Sequence, residues 1–131
     1  MKIGKLATLT GCSVQAIRHY EKEGLLVSSG RGEGNFRLYD ESAIEQLMFI
    51  KHCRTLDLTL EEITQLVELN RSPGKECASV NQMIDRKIEQ VERRTRELKK
   101  LQRQLKILRD SCSSSRTIGQ CGILQNLSKG S

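Results

Sequence analysis

Between Ser79 and Asp110 the chain runs for 32 residues without a glycine or a proline. Within that run Ile84, Ile88, Val91, Thr95, Leu98, Gln102 and Leu105 recur at alternating spacings of four and three. This is the seam of a coiled coil, and Leu101 and Leu108 widen it. A helix of that length spans about 48 Å at 1.5 Å per residue, too long to bury its seam against the small folded segment the other residues can form. It requires a partner helix, and a second copy of the same chain supplies one. Ser79-Val80-Asn81-Gln82 has the capping-box pattern expected at its start, and Ser72-Pro73-Gly74 ahead of it reads as a hinge.

The preceding residues read as short helices around a small core. Ile3, Leu6 and Ala7 share one helical face that Thr10-Gly11 interrupts, and Ser13 is placed to cap a second helix running to about Lys22. In that second helix Val14 and Ile17 point one way, while Gln15, Arg18, His19 and Lys22 form a polar face at i, i+3, i+4, i+7. Two short helices joined by a tight glycine turn, the second with a polar reading face, make a helix-turn-helix. Gly30, Gly32 and Gly34 then mark a loop, and Phe36-Arg37-Leu38-Tyr39 alternates like a strand. Together they predict a hairpin, or wing, presenting Arg31, Asn35 and Arg37 beside the reading helix. Asp40 is expected to cap a third helix over about 41–56, with faces set by Ile44, Leu47, Met48 and Lys51. Thr59-Leu60-Glu61-Glu62 is a capping box for a fourth, over about 60–70, with Leu60, Ile63, Leu66 and Val67 as its stripe.

The charge is uneven. The formal net charge is +6, yet residues 1–76 hold 10 basic and 11 acidic side chains and residues 77–110 hold 10 and 5. Aromatic residues are few and Trp is absent, so the aromatic mass of a large pocketed enzyme is missing. No carboxylate pair or Ser/His arrangement suggests catalysis. The apolar run Leu47-Met48-Phe49-Ile50 is far short of the ~20 residues needed to span a bilayer, and Met1-Lys2-Ile3 leads straight into an amphipathic pattern. The expectation is a cytoplasmic, non-membrane, non-enzymatic protein whose Cys12, Cys53, Cys77, Cys112 and Cys121 are thiols rather than a disulfide scaffold.

Three stretches together resemble the MerR family of bacterial transcription regulators. They are Ile17-Arg18-His19-Tyr20-Glu21 with Gly24-Leu25-Leu26, then Gly34-Asn35-Phe36-Arg37-Leu38-Tyr39, then Cys53-Arg54-Thr55-Leu56-Asp57-Leu58 with Leu60-Glu61-Glu62-Ile63. His19 stands where a second Tyr is common, and Val27-Ser28 replaces a usual proline. The resemblance implies a mainly α fold: a winged helix-turn-helix DNA-binding domain, a long antiparallel dimerisation coiled coil and a short metal-binding tail. It also implies a homodimer on an over-long promoter spacer, which untwists the DNA for RNA polymerase once its effector binds. On this sequence Gln15, Arg18 and His19 would face the major groove, Tyr20, Arg37 and Tyr39 would hold phosphates, and Arg31 and Asn35 would lie in the wing. The expected boundaries are 1–71 for the DNA-binding domain (helix-turn-helix about 3–22, wing about 30–39), 72–78 for the hinge, 79–110 for the dimerisation helix and 111–131 for the metal-binding loop and tail.

Given that antiparallel dimer, the cysteines acquire a pattern. Cys77 precedes the long helix and Cys112 follows it, so one chain keeps them about 50 Å apart. Two antiparallel copies crossing near Arg94 and Thr95 bring Cys77 of the partner subunit to Cys112, and eight intervening residues suffice to fold Cys121 back. Three thiolates without a histidine form a soft site, one short of the four ligands zinc usually takes in a buried site. Copper and gold sensors of the family carry Ser at the position of Cys77, and the zinc sensors carry a Cys pair and a loop His that this tail lacks. The spacing from Cys112 to Cys121-Gly122-Ile123-Leu124 looks most like the lead- and cadmium-responsive branch, so Pb(II) or Cd(II) is the expected effector. Mercury sensors share the spacing, which keeps Hg(II) as the alternative, with Zn(II) behind it. The basic surroundings and the helix start near Cys77 are expected to favour thiolates. Cys12 and Cys53 are expected to pack as small hydrophobes. A thiol-redox sensor is the rival from another class, although no Cys-x-x-Cys pair supports it.

Overall fold

The computed structural model describes residues 1–129, which fall into two compact units, Met1–Met83 and the residues from Ile84 onward. The first unit holds α1 (Ile3–Thr10), α2 (Val14–Lys22), the strands β1 (Gly30–Arg31) and β2 (Arg37–Leu38), α3 (Glu41–Thr55) and α4 (Leu60–Asn70). The long helix α5 (Ala78–Asp110) begins in it and continues into the second unit, where a 3-10 turn (Ile118–Gln120) and α6 (Gly122–Ser128) follow.

Local chemistry sets each boundary in the first unit. Gly11 ends α1 in the left-handed conformation (φ +74°), donating its N–H to Ala7 O at 2.9 Å. Ser13 then opens α2, its hydroxyl accepting from Ala16 N–H at 3.0 Å. Lys51 of α3 donates to Thr10 O at 3.1 Å, tying the helix-turn-helix to the central helix. Asp40 caps α3 through Ser42 N–H, and the hydroxyl of Ser42 holds the carboxyl below its ordinary range. At α4 the capping box closes in both directions: Thr59 accepts from Glu62 N–H, and the Glu62 carboxylate accepts from Thr59 N–H.

Leu6, Ile17, Leu25, Leu47, Ile50 and Ile63 are fully buried and draw α1 to α4 into one core. The faces of α3 are broader than expected: Ala43, Leu47, Ile50 and Cys53 are buried while Ile44 and Met48 are only half-buried. As the central helix, α3 is packed on more than one side. Cys53 lies in this core, where burial pushes its thiol pKa up, and Cys12 packs against it half-buried. The wing is an antiparallel pair with Gly30 opposite Leu38 and Arg31 opposite Arg37. Met1 extends the pairing, its O accepting from Tyr39 N–H at 2.7 Å and its ammonium donating to Tyr39 O at 2.6 Å.

Two expectations need correction. The capping box at Ser79 does not open α5, because Ala78 is already helical and Ser79 sits inside the first turn; Cys77 O accepts from Asn81 N–H instead. The tail is not simply a loop, since Cys121 caps α6 and Ile123, Leu124 and Leu127 lie along one side of it. On α5, Ile88, Val91, Leu98, Leu101 and Leu105 are each about half-exposed, so the seam lies uncovered in a single chain. No described helix is long and apolar enough to cross a membrane.

Leu47 is 0% exposed at the centre of the core. Leu47→Ala is expected to cost about 2–5 kcal/mol, read as a lowered denaturant midpoint at fixed protein concentration. A loss below ~1 kcal/mol would place the structural centre elsewhere.

Candidate DNA interface and metal centre

The polar face of α2 is open. Gln15, Arg18, His19 and Lys22 are exposed, whereas Ile17 is fully buried beneath them and Tyr20 is half-buried against the core. Arg31, Asn35 and Arg37 are exposed on the wing. Asn35 (φ +62°) and Gly34 (φ +82°) form its tip, closed by Gly32 N–H to Phe36 O at 3.0 Å. Arg31 donates to the backbone carbonyl of Asn35 at 2.9 Å, so its guanidinium is held against the wing tip.

Tyr39 is the one expected phosphate contact that is not on the surface. It is 2% exposed, and its hydroxyl donates to Glu21 Oε2 at 3.1 Å. Burial first, and then the negative charge of Glu21, raise its pKa. Glu21 also pairs with the Arg37 guanidinium. One largely buried carboxylate of α2 thereby receives two donors from the wing and fixes the wing against the helix. Its role had no sequence signal, because the three residues come from segments whose spacing says nothing of contact.

The thiols divide among two settings. Cys77 is exposed at the rim of a hollow of about 290 Å³ lined by Phe49, Leu66, Leu69, Pro73 and Val80. In the second unit the turn that follows α5 sets the Cys112 thiol close enough to act on Cys121, while Cys112 itself donates to Ser113 O at 3.4 Å. The backbone N–H of Leu124 and the Cys112 thiol lower the pKa of Cys121, and the N–H of Ile123 and the charge of Arg116 act the same way. A helix start and a nearby cation both favour thiolate over thiol. Among the described residues no group of three or more His, Cys, Asp or Glu side chains gathers as a metal site. A single chain therefore offers the Cys112–Cys121 pair, two soft sulfur donors suited to a thiophilic ion.

Gly122 makes that pair possible, and the sequence reading passed over it. A Cβ there would lie 1.9 Å from the backbone oxygen of Ser111, so only glycine lets the start of α6 rest on the end of α5. Arg109 donating to Cys112 O at 3.0 Å steadies the other side of the contact.

Two family models match the chain, one described as MerR HTH family regulatory protein over residues 1–69 and one as MerR, DNA binding over residues 44–108. The chain belongs to the MerR family. It is accordingly a DNA-binding transcription regulator and not an enzyme. Its fold follows that of the transcription regulator PbrR691 from Ralstonia metallidurans CH34 in complex with lead(II), at TM-score 0.89 and 49% identity over 97% of this chain and 98% of that one. The HTH-type transcriptional regulator ZntR homolog of Haemophilus influenzae is 40% identical over 88% of this chain and 85% of its own length. The mercuric resistance operon regulatory protein of Bacillus cereus is 32% identical over 98% and 97%. MerR regulators are homodimers that bind promoter DNA.

In the metal-free protein Cys121 is expected to alkylate with iodoacetamide near neutral pH well before Cys53, since its thiol titrates below the ordinary range and that of Cys53 above it. Mild diamide oxidation is expected to join Cys112 to Cys121, read by peptide mass spectrometry, and Gly122→Ala to slow that joining roughly 5- to 150-fold, given ~1–3 kcal/mol for forcing extra volume into a packed contact. Equal rates in the two proteins would refute the close-approach role of Gly122.

Proposed function

We propose that this MerR-family regulator works in the cytoplasm as a homodimer on a promoter spacer and activates metal-resistance or efflux genes when it binds Pb(II) or Cd(II). The ligands in this reading are Cys112, Cys121 and Cys77 of the partner subunit. The observation that supports it most is the tight turn after α5, which sets Cys112 beside Cys121 and lowers the pKa of the Cys121 thiol. The donor set is all sulfur, which suits large soft ions, and the similarity to a lead-bound regulator points the same way. Similarity to a mercuric regulator keeps Hg(II) as the second reading.

At the DNA, Gln15, Arg18 and His19 meet base edges in the major groove, while Tyr20, Arg31, Asn35 and Arg37 meet the backbone. Tyr39 serves this contact indirectly, by orienting Glu21 and through it Arg37. Base contacts specify the site and phosphate contacts set its register. Regulation needs a ligand with differential affinity for two dimer states. Cys77 is suited to report on such a change, because it follows directly on α4 and the Ser72-Pro73-Gly74 hinge. In the active state the dimer untwists the spacer for RNA polymerase.

Cys77→Ser, Cys112→Ser and Cys121→Ser are each expected to abolish metal-induced transcription from the regulated promoter while leaving operator affinity within about threefold. Competition among Pb(II), Cd(II) and Hg(II), followed by thiolate-to-metal absorption, ranks the effectors. Full induction in Cys77→Ser would remove the cross-subunit ligand, and saturation at two sulfurs per ion would do the same.

A further inference from the structure

One concave surface of the first unit collects cations beyond those of the reading helix. Lys2, Arg18, Arg31 and Arg37, with Asn35 and Phe36, line a hollow of about 380 Å³ between the start of α1, α2 and the wing. Like charges around one hollow repel, so each needs a reason to stay. Arg37 is paired with Glu21, and Arg31 donates to Asn35 O. Lys2 is held differently: its ammonium lies 4.1 Å from the centroid of the Phe36 ring. An aromatic face orients an ammonium without neutralising it, whereas a carboxylate would cancel the charge that a polyanion is meant to meet.

The position of Lys2 is also fixed from behind. Its neighbour Met1 exchanges two hydrogen bonds with Tyr39, stitching the start of the chain to the end of the wing. The Phe36 ring is fixed in turn by Gly32, where a Cβ would fall 2.8 Å from Phe36 Cε2. Gly32 therefore lets the ring lie close on the wing, and the ring holds Lys2 over the hollow.

We propose that Lys2 is a DNA-backbone ligand and that the hollow is a phosphodiester seat whose cations converge from α1, α2 and the wing. The inference rests on the DNA binding of the family and adds a contact outside both the helix-turn-helix reading face and the wing tip. Because its target is phosphate, Lys2 strengthens binding to every sequence and selects none.

The test uses the full-length dimer, a duplex that the unaltered protein has selected from a randomised pool, and a random-sequence duplex of equal length. Lys2→Ala is expected to weaken binding to both about tenfold at moderate salt. The dependence of log K on log salt becomes shallower by about 2 per dimer, one released counterion per lost contact in each protomer. Lys2→Arg retains affinity and slope. Phe36→Leu weakens binding several-fold alone and adds little in the Lys2→Ala background, since ring and ammonium act as a unit. An unchanged salt slope in Lys2→Ala overturns the proposal, whether or not affinity falls, because a purely structural effect releases no counterion. Additive effects of Lys2→Ala and Phe36→Leu overturn the role given to the ring.

Discussion

The apolar seam of α5 is the constraint on which the rest of the structure depends. Five of its aliphatic side chains stand about half-exposed in a single chain, and an apolar stripe of that length is stable in water only when another surface covers it. The spacing of four and three that produces the stripe also fixes the covering surface as a helix of matching pitch. A homodimer, the state in which MerR regulators occur, answers that demand with a second copy of the same stripe. Everything at the two ends of the helix inherits its meaning from that pairing. A hinge thiol and a tail thiol that one chain holds at opposite ends of 33 helical residues become potential neighbours only across two chains.

Within the first unit a single carboxylate has a comparable reach. Glu21 receives the hydroxyl of Tyr39 and the guanidinium of Arg37, so the wing is tied to α2 at two points. A two-stranded wing of this size has almost no independent stability. Its placement comes instead from Glu21 on one side and from Met1, bonded to Tyr39, on the other. The arrangement also answers part of the Arg37 charge within the protein. That leaves Arg18 and Lys2 as cations of the same surface whose charge the wing does not spend.

Much of this was legible from periodicity and capping chemistry. Ser13, Asp40 and Thr59 each cap the helix the sequence assigns to them, because a short polar side chain ahead of an apolar stripe is a local signal. Ser79 shows where that signal fails: the pattern was present, but the backbone entered the helix two residues earlier and Cys77 took the terminal carbonyl role. Tyr39 was expected at the surface as a phosphate contact and is buried instead, because the residue that takes its hydroxyl lies 18 positions away. Gly122 was visible beside Cys121, yet its importance depends on how closely the Ser111 carbonyl approaches. Contacts of that kind carry no periodicity and belong to tertiary structure alone. The nearness of Cys112 to Cys121 lay between these cases, since the spacing allowed it and the turn after α5 sets its distance.

The net charge of +6 illustrates the difference between amount and placement. The DNA-binding half is close to neutral by composition, and a field strong enough to attract a polyanion arises only where like charges share one surface. Lys2, Arg18, Arg31 and Arg37 do share one, while most acidic side chains of the same half lie elsewhere in the sequence. The basic excess of the C-terminal half was expected to favour thiolates through its general field and through the start of α5. At Cys121 the direction holds but the cause is local: two backbone N–H groups of α6 and the neighbouring Cys112 thiol, with Arg116 the weakest of the contributors. Directed hydrogen bonds act at contact distance and survive salt, whereas the field of exposed lysines and arginines is screened within about 8–10 Å. The lowering of the Cys121 pKa therefore owes more to the turn beside it than to the general field of the basic helix. The glycine that allows the close approach of α6 to Ser111 belongs to that same turn, so its lack of a Cβ is part of what sets the surroundings of Cys121.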